Sequence, residues 1–430
     1  MCGSIRLLSP LLILSVMTTA LIAQPVPVEV RETAYGFELL RDGKPYYVKG
    51  AGGINHLERL AESGANSVRT WGADLTEQVL DEAQRLGLTV CAGIWIEHER
   101  HDFDYDDPVA VAAQIEQCKR KVDQFKDHPA LLLWGVGNEV ETRSTNSKVW
   151  DTIEVVAAYI KKTDPHHPVM VVTAHILPAT TEFIKSRCPS IDLLGSNSYA
   201  GLPVIGRDIR RSGWSGAYLI TEWGPNGTWE VDKTPWGAEP EPTSTEKARM
   251  YAERYGIILG DKAHCLGSYV FLWGQKQEVT PTWFNLYTES GAETEGVEVL
   301  QTMWTGKKPA ITAPRITPLK LNGAHANKGL RVHPGKPLVA EFEVTRGEMA
   351  ELRMQWELMP ESQNKGHGGD AEIRPANLPL PKPCAEADQT RFTFSAPKKP
   401  GAYRIYLTVF GPGNKAATAN FPFHVGAVSP

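Results

Sequence analysis

Two glutamates, Glu139 and Glu222, each stand just past an apolar run, Leu131 to Val136 and Ala217 to Thr221. A carboxylic acid that protonates a departing oxygen, paired with a carboxylate that attacks the carbon left behind, can break an acetal bond through an oxocarbenium-like transition state. Arg69, closing another apolar run, is suited to keep Glu222 ionised. A drier surround, with Trp134 and Trp273 as its expected walls, would hold the proton on Glu139. A single glutamate at a strand end is usually a surface ion pair. Two at matching strand ends point to chemistry.

The polar and aromatic residues near these two extend the pattern. Asn138 precedes Glu139, and Asn197 and Tyr199 close a further run. Trp71, Trp95, Trp223 and Trp273 fall at or just past strand ends, where an indole can stack on the apolar face of a sugar ring; Trp134, before its strand end, reads as core. Trp229, Trp236 and Trp283 lie in long loops that could lengthen a cleft. The loop Glu97 to Asp107 reads EHERHDFDYDD and offers His98 to substrate hydroxyls. Its histidines lack the HExxH spacing and its aspartates lack the glycine and terminal glutamate of a calcium loop, so no metal is expected. No nucleophile elbow, P-loop or dinucleotide fingerprint is present; Gly50, Gly52 and Gly53 lack the spacing, so no cofactor is expected either.

The elements that must position these residues are legible in the periodicity. Eight apolar runs (Tyr46–Lys49, Ser67–Trp71, Leu88–Ile96, Leu131–Val136, Val169–Thr173, Ile191–Leu194, Ala217–Thr221, Cys265–Trp273) alternate with helical stretches. One helix should start at the Asp107 cap with Pro108 in its first turn, and a Thr243–Glu246 capping box should open another. Eight βα units in roughly 260 residues predict a (β/α)8 barrel, with chemistry at the C-terminal strand ends. An open doubly wound sheet is the competing arrangement.

Composition divides the chain. Eleven of its 12 tryptophans precede residue 305, whereas 15 of its 31 prolines follow residue 304. Leu338–Val344, Leu352–Leu358, Phe392–Phe394, Tyr403–Phe410 and Asn420–Val425 read as strands of an immunoglobulin-like sandwich, and Glu361 to Pro383 as a surface loop. The predicted organisation is a signal peptide over 1–23, a barrel with a short β lead-in over 24–306, a linker over 307–318 and the sandwich over 319–430. Leu7 to Ala23 is an almost uncharged stretch behind Arg6, with small residues at Ala20 and Ala23. It predicts export to the periplasm or medium, with no membrane span after cleavage; a retained anchor is the alternative. A net charge of −5 without a basic run argues against nucleic acid, and nothing points to a protein partner. After signal removal five cysteines remain, an odd number, and Cys91 and Cys265 sit in strand-like runs as small core residues.

At this point the sequence resembles a known group. DHPALLLWGVGNE, Asp127 to Glu139, resembles the acid/base segment of glycoside hydrolase family 2 and of clan A hydrolases, and LITEWG, Leu219 to Gly224, is similar to the nucleophile strand. IDLLGSNSY, Ile191 to Tyr199, looks like the strand-six segment of family 2 glucuronidases and galactosidases, and ANSVRTWG, Ala65 to Gly72, like the segment bearing the family's arginine. The resemblance implies Glu139 as acid/base, Glu222 as nucleophile, Asn138 as partner of the sugar 2-hydroxyl, and Arg69 and Tyr199 as neighbours of Glu222. It also implies retention of anomeric configuration. Family 2 enzymes usually carry two β domains before the barrel, for which only Gln24 to about Gly43 is available here, so exo-specificity is not carried over. A barrel followed by an immunoglobulin-like domain looks more like clan A endo-β-1,3-glucanases.

These readings predict a retaining glycosidase acting on the β-linkages of a carbohydrate substrate, a β-1,3-glucan or β-galactoside type among them. A transglycosylase on the same scaffold is the near alternative. A non-catalytic glycan-binding protein is the distant one, and the matched pair of glutamates argues against it.

Overall fold

The computed structural model describes residues 24–174, 176–366, 369–381 and 390–426. The predicted signal segment lies outside the described residues. The chain enters through a three-stranded antiparallel sheet of β1 (Val28–Thr33), β2 (Gly36–Arg41) and β3 (Lys44–Pro45). There follow eight strands: β4 (Val48–Gly52), β5 (Ser67–Arg69), β6 (Thr89–Ile94), β7 (Leu131–Asn138), β8 (Val169–Thr173), β9 (Leu193–Asn197), β10 (Tyr218–Trp223) and β11 (Cys265–Val270). They close into a parallel barrel in the order β10-β11-β4-β5-β6-β7-β8-β9, which excludes the open doubly wound sheet.

Eight helices surround it: α1 (Leu57–Glu62), α2 (Glu77–Arg85), α3 (Pro108–Phe125), α4 (Lys148–Thr163), α5 (Pro178–Arg187), α6 (Ile205–Arg211), α7 (Ser244–Gly260) and α8 (Glu295–Thr305). The predicted caps form as drawn. The Asp107 carboxylate accepts from the Val109 and Ala110 amides, and Thr243 and Glu246 exchange the two bonds of a capping box.

Alternation along the strands sorts the core into two shells. Cys91, Leu133, Met170, Val172, Leu219 and Tyr269 fill the barrel interior with Val28 and Leu39 of the lead-in sheet, while Trp134, Val136, Ile220 and Trp223 face the helices. Gly50 makes room for the interior Tyr269 ring, since a Cβ there would lie 2.3 Å from it. The four described cysteines Cys91, Cys118, Cys188 and Cys265 are buried and unpaired; Cys384 lies outside the described residues.

The C-terminal part is all β. Sheet one runs β14 (Ala324–His325), β13 (Lys320–Leu321), β16 (Pro337–Glu341), β19 (Arg391–Ser395). Sheet two runs β15 (Arg331–Val332), β21 (Lys415–Val425), β20 (Gly401–Gly411), β18 (Arg353–Pro360). A further pair joins β12 (Arg315–Ile316) to β17 (Val344–Arg346). Leu338, Ala340, Phe392 and Phe394 of the first sheet share one core with Ile405, Leu407, Phe421 and Phe423 of the second. The expected strand at Asn420 begins earlier, at Lys415, and is buried on both faces over most of its length. Its second face lies on the barrel, where the Thr418 amide donates to Ser244 Oγ at the start of α7.

Candidate active site

At the C-terminal ends of the barrel strands lies a pocket of about 390 Å³, a usual size for a small-molecule site. Its floor carries Glu139 and Glu222, and its walls include Trp71, Trp95, Tyr199, Trp229 and Phe271. Both acidic strands are irregular just before their functional residue: pairing slips between Val136 and Asn138 against β8, and between Ile220 and Glu222 against β9. Such slips re-aim a side chain. Glu139 itself adopts a left-handed φ of 54°, a conformation costly for a non-glycine residue and concentrated at functional sites.

Glu222 is clamped. Its Oε1 accepts from Arg69 Nη1 and Trp71 Nε1, both at 2.9 Å, and its Oε2 accepts from the Tyr199 hydroxyl at 2.8 Å. Arg69 is buried and also donates to Asn138 Oδ1 at 2.6 Å. Asn197 Nδ2 donates to Glu139 Oε1 at 2.7 Å and to Asn138 Oδ1 at 3.2 Å, while its own Oδ1 accepts from Thr221 at 2.7 Å. Because Asn138 Oδ1 takes both of these donors, the amide NH2 of Asn138 is left for a ligand in the pocket it lines.

The two carboxyl groups therefore differ in electrostatics. Burial, and then the neighbouring Glu222 carboxylate, push Glu139 up to about 8. Burial and the same carboxylate push the Tyr199 phenol well above its ordinary range, so it stays a donor. One carboxyl thus holds its proton at neutral pH beside a carboxylate that receives three hydrogen bonds, including one from a guanidinium. This arrangement can deliver a proton and a nucleophile to opposite sides of one bond.

Arg69, Asn138, Glu139, Asn197, Tyr199 and Glu222 form one connected network, and Trp71 and Trp95 line the pocket beside it. Five expectations are corrected. Trp223 is fully buried against Tyr251 and Tyr255 of α7: strand alternation sends the neighbour of an inward Glu222 to the outer face. Trp273 is buried against Tyr287 and Trp304, with its Nε1 on the His56 carbonyl. It is no sugar platform, and neither it nor the outward Trp134, which donates to Asp164, dries Glu139. Trp283 is buried, and Trp236 packs against Arg331 and His424 of the sandwich. His98 is buried behind Trp95, stacked on its ring at 4.9 Å, and does not line the pocket. Burial and Arg100 depress it to about 3, so it is neutral packing.

Sequence reasoning missed Phe271, Leu272, Lys276, Glu278, Gly369 and Asp370, all of which line the pocket, whereas His101, which also lines it, belongs to the Glu97 to Asp107 loop expected to face substrate. The loop after β11 carries Phe271 to Glu278 with no motif of its own. Gly369 and Asp370 come from the stretch read as a surface loop, which crosses from the second domain. Among the described residues no cluster of three or more His, Cys, Asp or Glu side chains could hold a metal ion, and no helix is long and apolar enough to cross a membrane.

Comparison with known proteins bears on the barrel that carries this site. Residues 56–205 match the family described as "Glycosyl hydrolases family 2, TIM barrel domain". That stretch contains Arg69, Asn138, Glu139, Asn197 and Tyr199 and ends before Glu222. A β-glucuronidase of Rattus norvegicus is 24% identical over 265 residues, 55% of this chain and 39% of that protein. The Homo sapiens β-glucuronidase is 25% identical over 194 residues, 40% and 28% of the two chains. This chain thus spans less than two fifths of the curated relatives it matches. Among solved structures, a β-D-glucuronidase from Dictyoglomus thermophilum aligns with a TM-score of 0.51 at 19% identity, over 66% of this chain and 54% of that one. One from Bacteroides uniformis aligns with a TM-score of 0.51 at 13% identity, over 93% and 48%. The resemblance of the barrel to the clan A, family 2 catalytic barrel therefore holds in both sequence and fold.

Proposed function

We propose that the protein is a retaining glycosidase that hydrolyses β-linked O-glycosidic bonds of an oligo- or polysaccharide. The observation that carries this reading is the asymmetry of the glutamate pair: Glu139 raised by burial and charge, Glu222 held by Arg69, Trp71 and Tyr199. In the first step Glu139 gives its proton to the leaving oxygen while Glu222 attacks the anomeric carbon, forming a glycosyl ester and releasing the aglycone as an alcohol. In the second, Glu139, now a carboxylate, takes a proton from water as that water displaces Glu222. The Asn138 NH2, free of other partners among the described residues because Asn138 Oδ1 takes the Arg69 and Asn197 donors, binds the hydroxyl next to the anomeric carbon. The glucuronidases matched above support glycoside cleavage as the reaction class. A second depression of about 500 Å³ shares Trp71 and Trp95 with the pocket, which favours a substrate of more than one sugar. We also infer export, from the apolar N-terminal segment.

The test is a panel of β-linked glucans, galactans and mannans with product masses, and proton NMR of the first product formed. Sugar release with the β-anomer appearing first is expected. The α-anomer first would contradict retention, product lengths that grow would favour glycosyl transfer, and release from no substrate would contradict the glycosidase reading.

A further inference from the structure

The second domain builds part of the pocket wall. The segment carrying Gly369 and Asp370 is fastened to the barrel's loops by two bonds, Lys276 Nζ to the Gly369 carbonyl at 2.5 Å and the Val279 amide to Glu372 Oε2 at 2.7 Å. Asp370 then meets the loop after β6, its Oδ1 2.9 Å from His101 Nε2 and 3.4 Å from Arg100 Nη2. Among the described residues, the cationic side chains beside the pocket, Arg69, Lys276 and Arg100, each have an anion of their own. Arg69 holds Glu222 at 2.9 Å, Lys276 holds Glu278 at 3.1 Å, and Arg100 and His101 hold Asp370. Three acidic side chains, Glu222, Glu278 and Asp370, line the same cavity, and Glu139 is a fourth carboxyl among them. An entering carboxylate would face like charge and find no unpaired cation among the described pocket residues. A hydroxyl would find acceptors on each side.

We propose, resting on the glycosidase reading, that the pocket takes the β-glycosides of neutral sugars and rejects those of uronic acids, and that Asp370 of the second domain enforces the rejection. The device acts by repulsion and by occupancy: Asp370 takes up Arg100 and His101, the side chains that would otherwise be open to a sugar carboxylate. It also makes substrate selection depend on the sandwich, although both catalytic glutamates belong to the barrel.

The experiment uses the full chain and a matched set of fluorogenic β-glycosides: glucoside, galactoside, mannoside and xyloside, their β-linked disaccharides, and the glucuronide with its aldobiouronic counterpart. At least one neutral member should exceed the best uronide by about 100-fold in kcat/KM, the scale expected of like-charge juxtaposition. Asp370→Asn, which frees Arg100 and His101, should narrow that ratio about tenfold, and Asp370→Glu should restore it. Thermal melting of each variant confirms that it is folded. A wild-type protein that prefers the uronide overturns the inference while leaving the glycosidase reading intact. An unchanged ratio in folded Asp370→Asn overturns the role of Asp370. Cleavage of no member, despite activated leaving groups, would remove the glycosidase reading and this inference with it.

Discussion

The pocket and the contact between the two domains both bury carboxylates, and they treat them in opposite ways. In the contact, cations of the sandwich meet carboxylates of the barrel's late loops. Lys415 pairs with Glu293 at 2.6 Å and Lys365 with Glu239 at 2.6 Å. Arg404, fully buried, holds Glu361 at 2.9 Å and donates to the Glu239 carbonyl and to Asn420. Burial alone would raise Glu239 and Glu293, but their lysine and arginine partners outweigh it and hold both below the ordinary range. In the pocket, Glu139 has one amide donor and a carboxylate neighbour, and it is pushed the other way. The residue type is the same and burial is comparable in kind; the partner decides whether a carboxylate joins two domains or holds a transferable proton.

The contrast can be broken at its strongest point first. Glu139→Gln should lower kcat/KM by about 10²- to 10⁴-fold, the range for loss of a positioned general acid. Glu222→Gln should cost at least as much. Glu139→Gln should melt at or above the wild-type temperature, because it removes a carboxyl buried beside another, whereas Glu222→Gln leaves the buried Arg69 without its anion and should melt lower. Next in size, Arg404→Ala leaves Glu361 buried without its cation and should cost about 3–5 kcal/mol in urea denaturation, with the folded fraction keeping wild-type kcat/KM. If Arg404→Ala left stability unchanged, or if Glu139→Gln destabilised the chain without loss of rate, the two regions would not differ as argued.

The smallest effects are those of pH, and their signs differ between the regions. Activity needs Glu139 protonated, so kcat/KM should fall as pH rises past about 8, and Glu139→Gln should lack that limb. Glu239 and Glu293 are lower in the folded state than in the unfolded one. Their contribution is therefore complete above the ordinary carboxylate range and lost as pH falls through their folded values. Melting should consequently drop on the acid side, and Arg59→Gln, which removes the guanidinium that pairs with Glu293 at 2.8 Å, should flatten that drop.

How much of this the sequence disclosed depends on how local each feature is. The barrel was legible because each strand is a short apolar run between capped helices, and Arg69, Glu139 and Glu222 were legible because they close such runs. Trp223 misled because adjacency to Glu222 in a strand means the opposite face. Trp273 and Trp283 misled because an aromatic past a strand end can fold back as readily as it can line a cleft, and only the packing of α8 and the loop after β11 decides. The early part of β21, KAATAN, reads as a loop because small and polar residues fill a strand buried between a sandwich core and a helix. Asp370 carried no signal, since its place in the pocket depends on the docking of a domain whose Asp370 lies 231 residues beyond Glu139 and 148 beyond Glu222.

The central claim, that Glu222 attacks and Glu139 donates, is tested most directly by azide rescue of the two alanine variants on an activated β-glycoside. Azide entering the space left by Glu222→Ala attacks the intact substrate and should yield the α-glycosyl azide. In Glu139→Ala it attacks the ester on Glu222 and should yield the β-glycosyl azide. The reverse assignment of anomers, or glycosyl azide from neither variant, would contradict the account.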